Sequence, residues 1–270
     1  MYGSVSVAAG SVRQRSTAEA DANGPPQADL FGYYPRGTLR QRSRHLGGTR
    51  FMVTTPTLYG HPFSSFTEKV LVALYESGAA FTFRIFGPDD PQAAAEWEQL
   101  SPMQRFPVMV DGGRTLVETS IIIEHLALSR PGAAALLPRD PAAALDVRLM
   151  DRVFDSYVMT PMLTLAFNES RPAEARDAFG AEQARGQLAK AYAWLDGLVA
   201  GRAWAAGDAF TLADCAAAPA LLFAHWAHPI PEELARLHAY RGRLLARPSF
   251  ARVVEEARRF RAAFPFPTGD

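Results

Sequence analysis

Thr57-Leu58-Tyr59-Gly60-His61-Pro62-Phe63-Ser64-Ser65-Phe66-Thr67-Glu68-Lys69-Val70 is the stretch on which the fold turns. Its first four residues read as a short strand, and His61 to Ser65 read as a turn. From Phe66 to Ser77 the apolar positions Val70, Leu71, Leu74 and Tyr75 fall on one helical face. Gly78 then supplies a stop, because glycine tolerates the left-handed conformation that closes a helix. Phe81-Thr82-Phe83-Arg84-Ile85 alternates and reads as a second strand. Strand, helix and strand in this order predict two parallel neighbours with a right-handed crossover.

Working outward, residues 87–105 are a polar connection containing proline, with a short helix expected around Ala93 to Leu100. Val108-Met109-Val110, the turn Asp111-Gly112-Gly113, and Thr115-Leu116-Val117 give a hairpin signal. Ser120 to Leu128 reads as a strongly apolar helix ended by Pro131-Gly132. The expected order is βαβ, α, ββα over 55–132. Residues 133–141, with Pro138 and Pro141, read as a linker, and 142–264 as an all-helical domain. There Leu145, Leu149, Val153, Tyr157 and Val158 share one predicted face, and Leu188, Tyr192, Leu195 and Val199 another. Thr211-Leu212-Ala213-Asp214 opens a helix that contains Pro219 and is expected to kink there. Glu232 to Leu245 and Ser249 to Phe260 read as two more helices. Residues 1–51 differ in being rich in Ser, Gly, Arg and Gln. Such a segment buries too little apolar area to offset its ordering entropy. It reads as a disordered extension or as the product of a misplaced start, with Met52 the true one; Glu19, Asp21 and Asp29 count against a transit peptide.

Composition narrows the function classes. Hydrophobic residues make up 48% of the 270, enough for a substantial core. Lys+Arg and Asp+Glu both number 28, so no global field attracts nucleic acid or an anionic membrane. Cys215 is the only cysteine, which excludes an intramolecular disulfide, a CxxC pair and a four-thiolate zinc site. A single thiol fits a reducing compartment. No apolar run approaches the roughly 20 residues of a membrane span, and Met1 to Gly10 lacks the apolar core of a secretory signal. His225 and His228 stand three apart without further ligands, so no metal is expected. Lys69 and Lys190 are the only lysines; with abundant alanine this reads as nucleotide bias.

Several residues read in more than one way locally. Ser65-Phe66-Thr67-Glu68 is a capping-box pattern, and either Ser64 or Ser65 serves as a cap. Glu118, Thr119 and Ser120 open a helix as an ordinary cap and acidic first turn. Arg105 reads as a solvated loop residue, and Tyr59 and Tyr75 as packing.

Four stretches together resemble the cytosolic-type glutathione S-transferase superfamily, in a bacterial, serine-type form. They are His61 to Val70, Arg105-Phe106-Pro107-Val108-Met109-Val110-Asp111-Gly112, Val117-Glu118-Thr119-Ser120-Ile121-Ile122-Ile123-Glu124-His125-Leu126, and Gly207-Asp208-Ala209-Phe210-Thr211-Leu212-Ala213-Asp214. The resemblance runs from Thr55 to about Phe264. It implies a thioredoxin-like α/β domain followed by an all-α bundle, glutathione as co-substrate without a metal, and a cytoplasmic homodimer. It also implies that Ser64 stabilises the glutathione thiolate from a helix N-terminus, whose free N–H groups favour an anion. Ser65 is kept as the helix cap beside it and as a glutathione contact. Pro107 is implied to be cis, with the Phe106 backbone pairing with the cysteinyl part of glutathione like an added strand. Glu118 complements the γ-glutamyl ammonium, Thr119 and Ser120 its carboxylate, and Gln104 and Arg105 the glycine carboxylate. An electrophile is expected between the domains, against Phe63, Phe154, Tyr157, Val158 and Met162. Thr211 and Asp214 match a capping motif with a folding role, and Cys215 beside them reads as a small buried hydrophobe. The implied activity is attack of the glutathione sulfur on an electrophilic carbon. The alternatives are glutathione-dependent reduction or isomerisation, or a non-catalytic binding module.

Overall fold

A computed structural model describes residues 54–87 and 90–269 of the chain. The segment 1–51 lies outside the described residues. Strand β1 (Thr57–Gly60), helix α1 (Ser65–Ser77), strand β2 (Thr82–Ile85), helix α2 (Pro91–Leu100), strands β3 (Val108–Asp111) and β4 (Arg114–Leu116), and helix α3 (Thr119–Ser129) follow in order. The sheet runs β2-β1-β3-β4. β1 and β2 are parallel, and β3 is antiparallel to both β1 and β4. This is a thioredoxin-like β/α domain with a mixed four-stranded sheet, and an all-helical domain follows it.

Local chemistry explains the boundaries. Gly78 ends α1 in the left-handed region, with φ 62°. Asp90 caps α2 by accepting the Ala93 N–H at 3.0 Å. Gly112 and Gly113 both have positive φ, 58° and 80°, as the tight β3–β4 turn requires. Asp111 belongs to β3 rather than to the turn. It is fixed there because Arg130 donates to both its oxygens and His125 approaches Oδ2 at 2.8 Å.

After α3 the chain makes a 3-10 turn, Pro131–Leu136, with Ala133 and Leu136 buried. A β-carbon on Gly132 would lie 2.0 Å from the Ser77 carbonyl oxygen, so only glycine lets this turn rest on the end of α1. The stretch read as a linker thus begins inside a packed turn. Asp140 then caps α4 (Pro141–Val153) through the Ala143 N–H at 2.9 Å.

Helix α4 continues through a π-helical turn (Phe154–Met159) into α5 (Thr160–Glu169). One correction falls in this run. A uniform 3.6-residue period groups Leu145, Leu149 and Tyr157 with Val153 and Val158. In the structure the first three are exposed, and the buried row is Ala144, Val147, Met150, Val153, Phe154 and Val158. Leu145 and Leu149 lie upstream of the π turn, on the face beside the buried Ala144, Val147 and Met150; Tyr157 lies within the turn, whose wider winding changes the phase there.

Helices α6 (Ala178–Leu198), α7 (Leu212–Ala227), α8 (Ala235–Leu245) and α9 (Pro248–Ala257) complete the domain, followed by a 3-10 segment, Arg258–Ala263. Leu188, Tyr192, Leu195 and Val199 are buried, as their spacing predicts. Every residue from Leu212 to Ala224 is buried, so α7 is the axis around which the domain packs. Its start is fixed by Asp214, whose Oδ2 accepts the Thr211 N–H at 2.9 Å and hydroxyl at 3.2 Å. Oδ1 accepts the Ala205 N–H and the Tyr240 hydroxyl. Cys215, next in line, is fully buried, and burial pushes its thiol well above the usual range, helped by Asp214 and Glu76. α1 packs against α3, α7 and α9, which accounts for its unbroken buried run Thr67–Leu74.

Candidate active site

Strand register brings three separate segments to one edge of the sheet. Tyr59 pairs with Val108, and Met109 with Leu116. The end of β1, the start of β3 and the end of β4 therefore lie side by side. From that edge emerge His61 to Ser64, Phe106-Pro107, and Glu118-Thr119.

Ser64 is the N-cap of α1, with φ −117° and ψ 120°. Its N–H donates to the His61 carbonyl at 3.1 Å, and its Oγ accepts the Thr67 N–H at 3.4 Å. Accepting a cap bond leaves the hydroxyl hydrogen available to a ligand. The cap expected at Ser65 is corrected: Ser65 is already helical and buried, because the extended backbone lies one residue earlier. Glu68, the other half of that capping pattern, does not reach back. It is fully buried, and its Oε2 has no hydrogen-bond partner. Burial pushes this carboxyl well above the usual range, against an opposing pull from Arg261.

The Phe106–Pro107 bond is cis. The loop before it is pinned by Ser101 and Trp97, whose hydroxyl and indole N–H donate to the Arg105 carbonyl at 2.7 and 2.9 Å. The Gln104 and Arg105 side chains are exposed. The Phe106 ring packs on Phe86 and Trp97. Among the described residues, its N–H and carbonyl make no hydrogen bond, so this backbone is open to an extended ligand. Glu118 is exposed at the N-terminus of α3, and Thr119 is the first helical residue. The non-glycine residues with positive φ among those described, Gln104 (50°) and Glu118 (68°), both belong to these two segments. Backbone held in this sparsely populated region concentrates at functional sites.

Ser120 does not join them. Its hydroxyl donates to Asp151 Oδ2 at 2.7 Å and accepts from Lys69 Nζ at 3.1 Å and Arg152 Nη2 at 2.9 Å. Lys69 is buried and pairs with Asp151 at 2.6 Å and Asp155 at 2.8 Å, while Arg152 also binds Asp155. Burial raises the Asp155 carboxyl, and Lys69 counters it. This ionic cluster ties α1 and α3, which carry the site, to α4. Sequence reasoning missed it. The available signal was Lys69, a lysine amid the apolar run of α1 in a chain whose cations are otherwise almost all arginine.

Residues 58–134 match the family model for the glutathione S-transferase N-terminal domain, and residues 155–248 that for the C-terminal domain. A glutathione S-transferase of Pseudomonas putida is 30% identical over 158 residues, 58% of this chain and 69% of that protein. The chain belongs to the glutathione S-transferase family. A mouse maleylacetoacetate isomerase is 29% identical over 106 residues, 38% of this chain and 49% of that protein. Among solved structures, the glutathione S-transferase of Methylobacterium radiotolerans in complex with glutathione sulfonate is 29% identical with a TM-score of 0.64. That match covers 74% of this chain and 95% of the other.

In this family member the wall expected for a second substrate is rearranged. Phe154, Val158 and Met162 are fully buried core, and Phe154 stacks on Tyr240. Tyr157 is exposed against Trp194, 6.2 Å between rings. Only Phe63 stands near Ser64, in a cluster with Phe223, Trp226 and Phe264. The C-terminal segment, which periodicity gave no reason to place here, covers the turn before α1. The Phe260 ring meets His61 edge-on at 4.5 Å, and the Trp226 indole donates to the Gly269 carbonyl. Tyr59 and Tyr75 donate to Glu96 and Glu256, which leaves both as packing residues. His225 and His228 are engaged elsewhere: His225 accepts the Ile230 N–H and His228 stacks on Tyr192.

Proposed function

We propose that this chain is a glutathione transferase in which Ser64 activates the sulfur. The observation that carries the reading is the position of Ser64: N-cap of α1, with its hydroxyl hydrogen unspent, at the sheet edge that also presents the open Phe106 backbone and the Glu118–Thr119 helix start. Glutathione would lie along that edge. Its cysteinyl backbone pairs with Phe106 as an added strand. Its γ-glutamyl ammonium meets Glu118, and the neighbouring carboxylate meets the Thr119 hydroxyl and the free N–H groups of α3. Gln104 and Arg105, both exposed just before the cis proline, would meet the glycine carboxylate. The Ser64 hydroxyl and the α1 N-terminus hold the sulfur as thiolate. The thiolate then attacks an electrophilic carbon: the sulfur–carbon bond forms, the leaving group departs with its electron pair, and the thiol proton has already passed to solvent. Positioning and thiolate activation supply the rate enhancement.

Similarity to maleylacetoacetate isomerases supports a second reading, in which the thiolate adds reversibly to a double bond and leaves unchanged. Exposed Ile121 and Leu128 on α3, with Leu145 and Leu149 on α4, support a homodimer. The buried lone thiol of Cys215 fits the reducing, cytoplasmic setting in which glutathione abounds. Titration with glutathione followed by a chlorinated nitroaromatic tests the reading. Binding with conjugate formation is expected. Binding without turnover would favour the isomerase, a reductase or a binding module, and no binding would sink the glutathione site.

A further inference from the structure

Resting on the transferase reading above, we infer that His61 and Arg259 form a two-point recognition site for a carboxylate on the second substrate, with the Phe260 ring as its apolar wall. The turn that presents Ser64 begins at His61, whose carbonyl accepts the Ser64 N–H at 3.1 Å. His61 therefore belongs to the same tight turn as Ser64, three residues before it. Its Nδ1 accepts the Phe63 N–H at 3.2 Å. A neutral imidazole with Nδ1 so occupied carries its proton on Nε2, which leaves an N–H donor for a ligand. Burial, and then the nearby charge of Arg259, lower the His61 pKa and keep the ring neutral at pH 7.

Arg259 differs from the arginines around it. Arg258 pairs with Glu255 at 2.7 Å, and Arg252 with Glu256 at 2.8 Å. Arg261 lies over the Trp226 ring and draws on buried Glu68. Arg259 lies over the Phe260 ring, 4.6 Å from its centroid, and makes no ion pair with any described carboxylate. The segment that carries it is held in place on both sides, by Phe264 in the Phe63–Phe223–Trp226 cluster and by the Phe260–His61 contact. A guanidinium carried on a held segment and an N–H donor beside an aromatic face complement an electrophile with an apolar body and an acidic end.

The test is a matched pair of probes on the full chain, 4-chloro-3-nitrobenzoate and 4-chloro-3-nitrobenzamide, with the S-aryl glutathione conjugates of both for binding. The readout is the ratio of kcat/KM, carboxylate over amide, and the same ratio of conjugate affinities. Arg259→Gln should lower both ratios roughly tenfold, the size of one charge-assisted hydrogen bond. Arg259→Lys should recover part, and His61→Phe should lower the ratios in the same direction. Arg139→Gln, an exposed arginine on the segment before α4, should leave them as in the wild type. Ratios that do not move in Arg259→Gln overturn the site. So does a loss of affinity for glutathione itself, which would place Arg259 on the glycine carboxylate instead. If the wild type binds glutathione but turns over neither probe, the conjugate affinities still decide. If it does not bind glutathione at all, the transferase reading fails and this site falls with it.

Discussion

At the scale of single residues, Ser64 carries two burdens that mutation can separate. As a cap it satisfies the Thr67 N–H; as a donor it would stabilise a thiolate. Ser64→Ala removes both. It should cost about 1 kcal/mol of stability and raise the pKa of bound glutathione by about one to two units, the loss of one hydrogen bond to an anion. Ser64→Asp keeps a good cap acceptor but offers no hydroxyl and adds a repelling charge. It should restore the urea midpoint without restoring thiolate absorbance in the complex. Recovery of both by aspartate would show that Ser64 only holds the helix. Glu68 gives a prediction in pH. Its folded pKa is raised by burial, so the folded state takes up a proton that the unfolded state has lost. Its contribution is complete below the unfolded value of about 4.3 and is lost as pH rises through the folded one, with a slope of up to about 1.4 kcal/mol per pH unit. Glu68→Gln keeps the shape of the protonated form and cannot ionise. Its stability should decline less between acid and neutral pH than that of the wild type, as followed by urea unfolding at each pH; parallel curves would mean that folding does not shift the Glu68 titration.

At the scale of elements, the weight falls on α1, which closes the sheet, carries Ser64 and meets the helical domain. Lys69 is its buried anchor, facing Asp151 and Asp155. Lys69→Met should destabilise by about 3–5 kcal/mol, because it removes the buried cation from two carboxylates and leaves the more exposed Arg152 to balance both. Adding Asp155→Asn should recover part of the loss in urea unfolding; equal additive losses would show that the charges are solvated separately. How far these elements were legible follows from what fixes each. The βαβ unit, the hairpin and the buried face of α6 depend on local period and turn chemistry, so Leu58, Gly112, Gly113 and Leu188 announce them. The π turn does not announce itself, and it changed the phase around Tyr157; Leu145 and Leu149, upstream of it, were misplaced because α4 carries apolar residues on two adjoining faces and the inward one is Ala144, Val147 and Met150. Ser120 looked like a ligand group because adjacency to Glu118 and Thr119 suggested a shared role. Its partners come from residues 69, 151 and 152, which no local pattern connects to it. The contact of Phe260 with His61 spans nearly the whole described chain and was illegible for the same reason.

At the scale of the whole molecule, the question is whether the two domains fold as one. The described residues form a single compact unit, and the joint between the domains is not a thin polar contact. α1 buries its second face on α7, the most enclosed helix of the other domain. At its far end Glu76 receives Arg247 through two hydrogen bonds of 2.7 and 2.6 Å, and the same guanidinium lies 3.8 Å from the Phe210 ring centre and 5.0 Å from that of Trp204. Burial alone would raise the Glu76 carboxyl, but Arg247 outweighs it and holds the pKa below its usual value. The sign is therefore opposite to that of Glu68: this pair stabilises above the unfolded carboxyl pKa and weakens as pH falls through the folded one. Opening the joint would expose the apolar face of α1, strand Lys69 and break this pair at once. Together these costs are of the order of the total stability of a domain, about 5–15 kcal/mol. The slowest-exchanging amides of β3 and of α7 should therefore share one urea midpoint in hydrogen-exchange mass spectrometry, as a single cooperative unit requires. Arg247→Met should lower that midpoint for both elements together. Separate midpoints in the wild type, or a shift confined to α7 in the variant, would mean that the sheet domain stands without its helical partner and that the ionic cluster around Lys69 contributes to position rather than to stability.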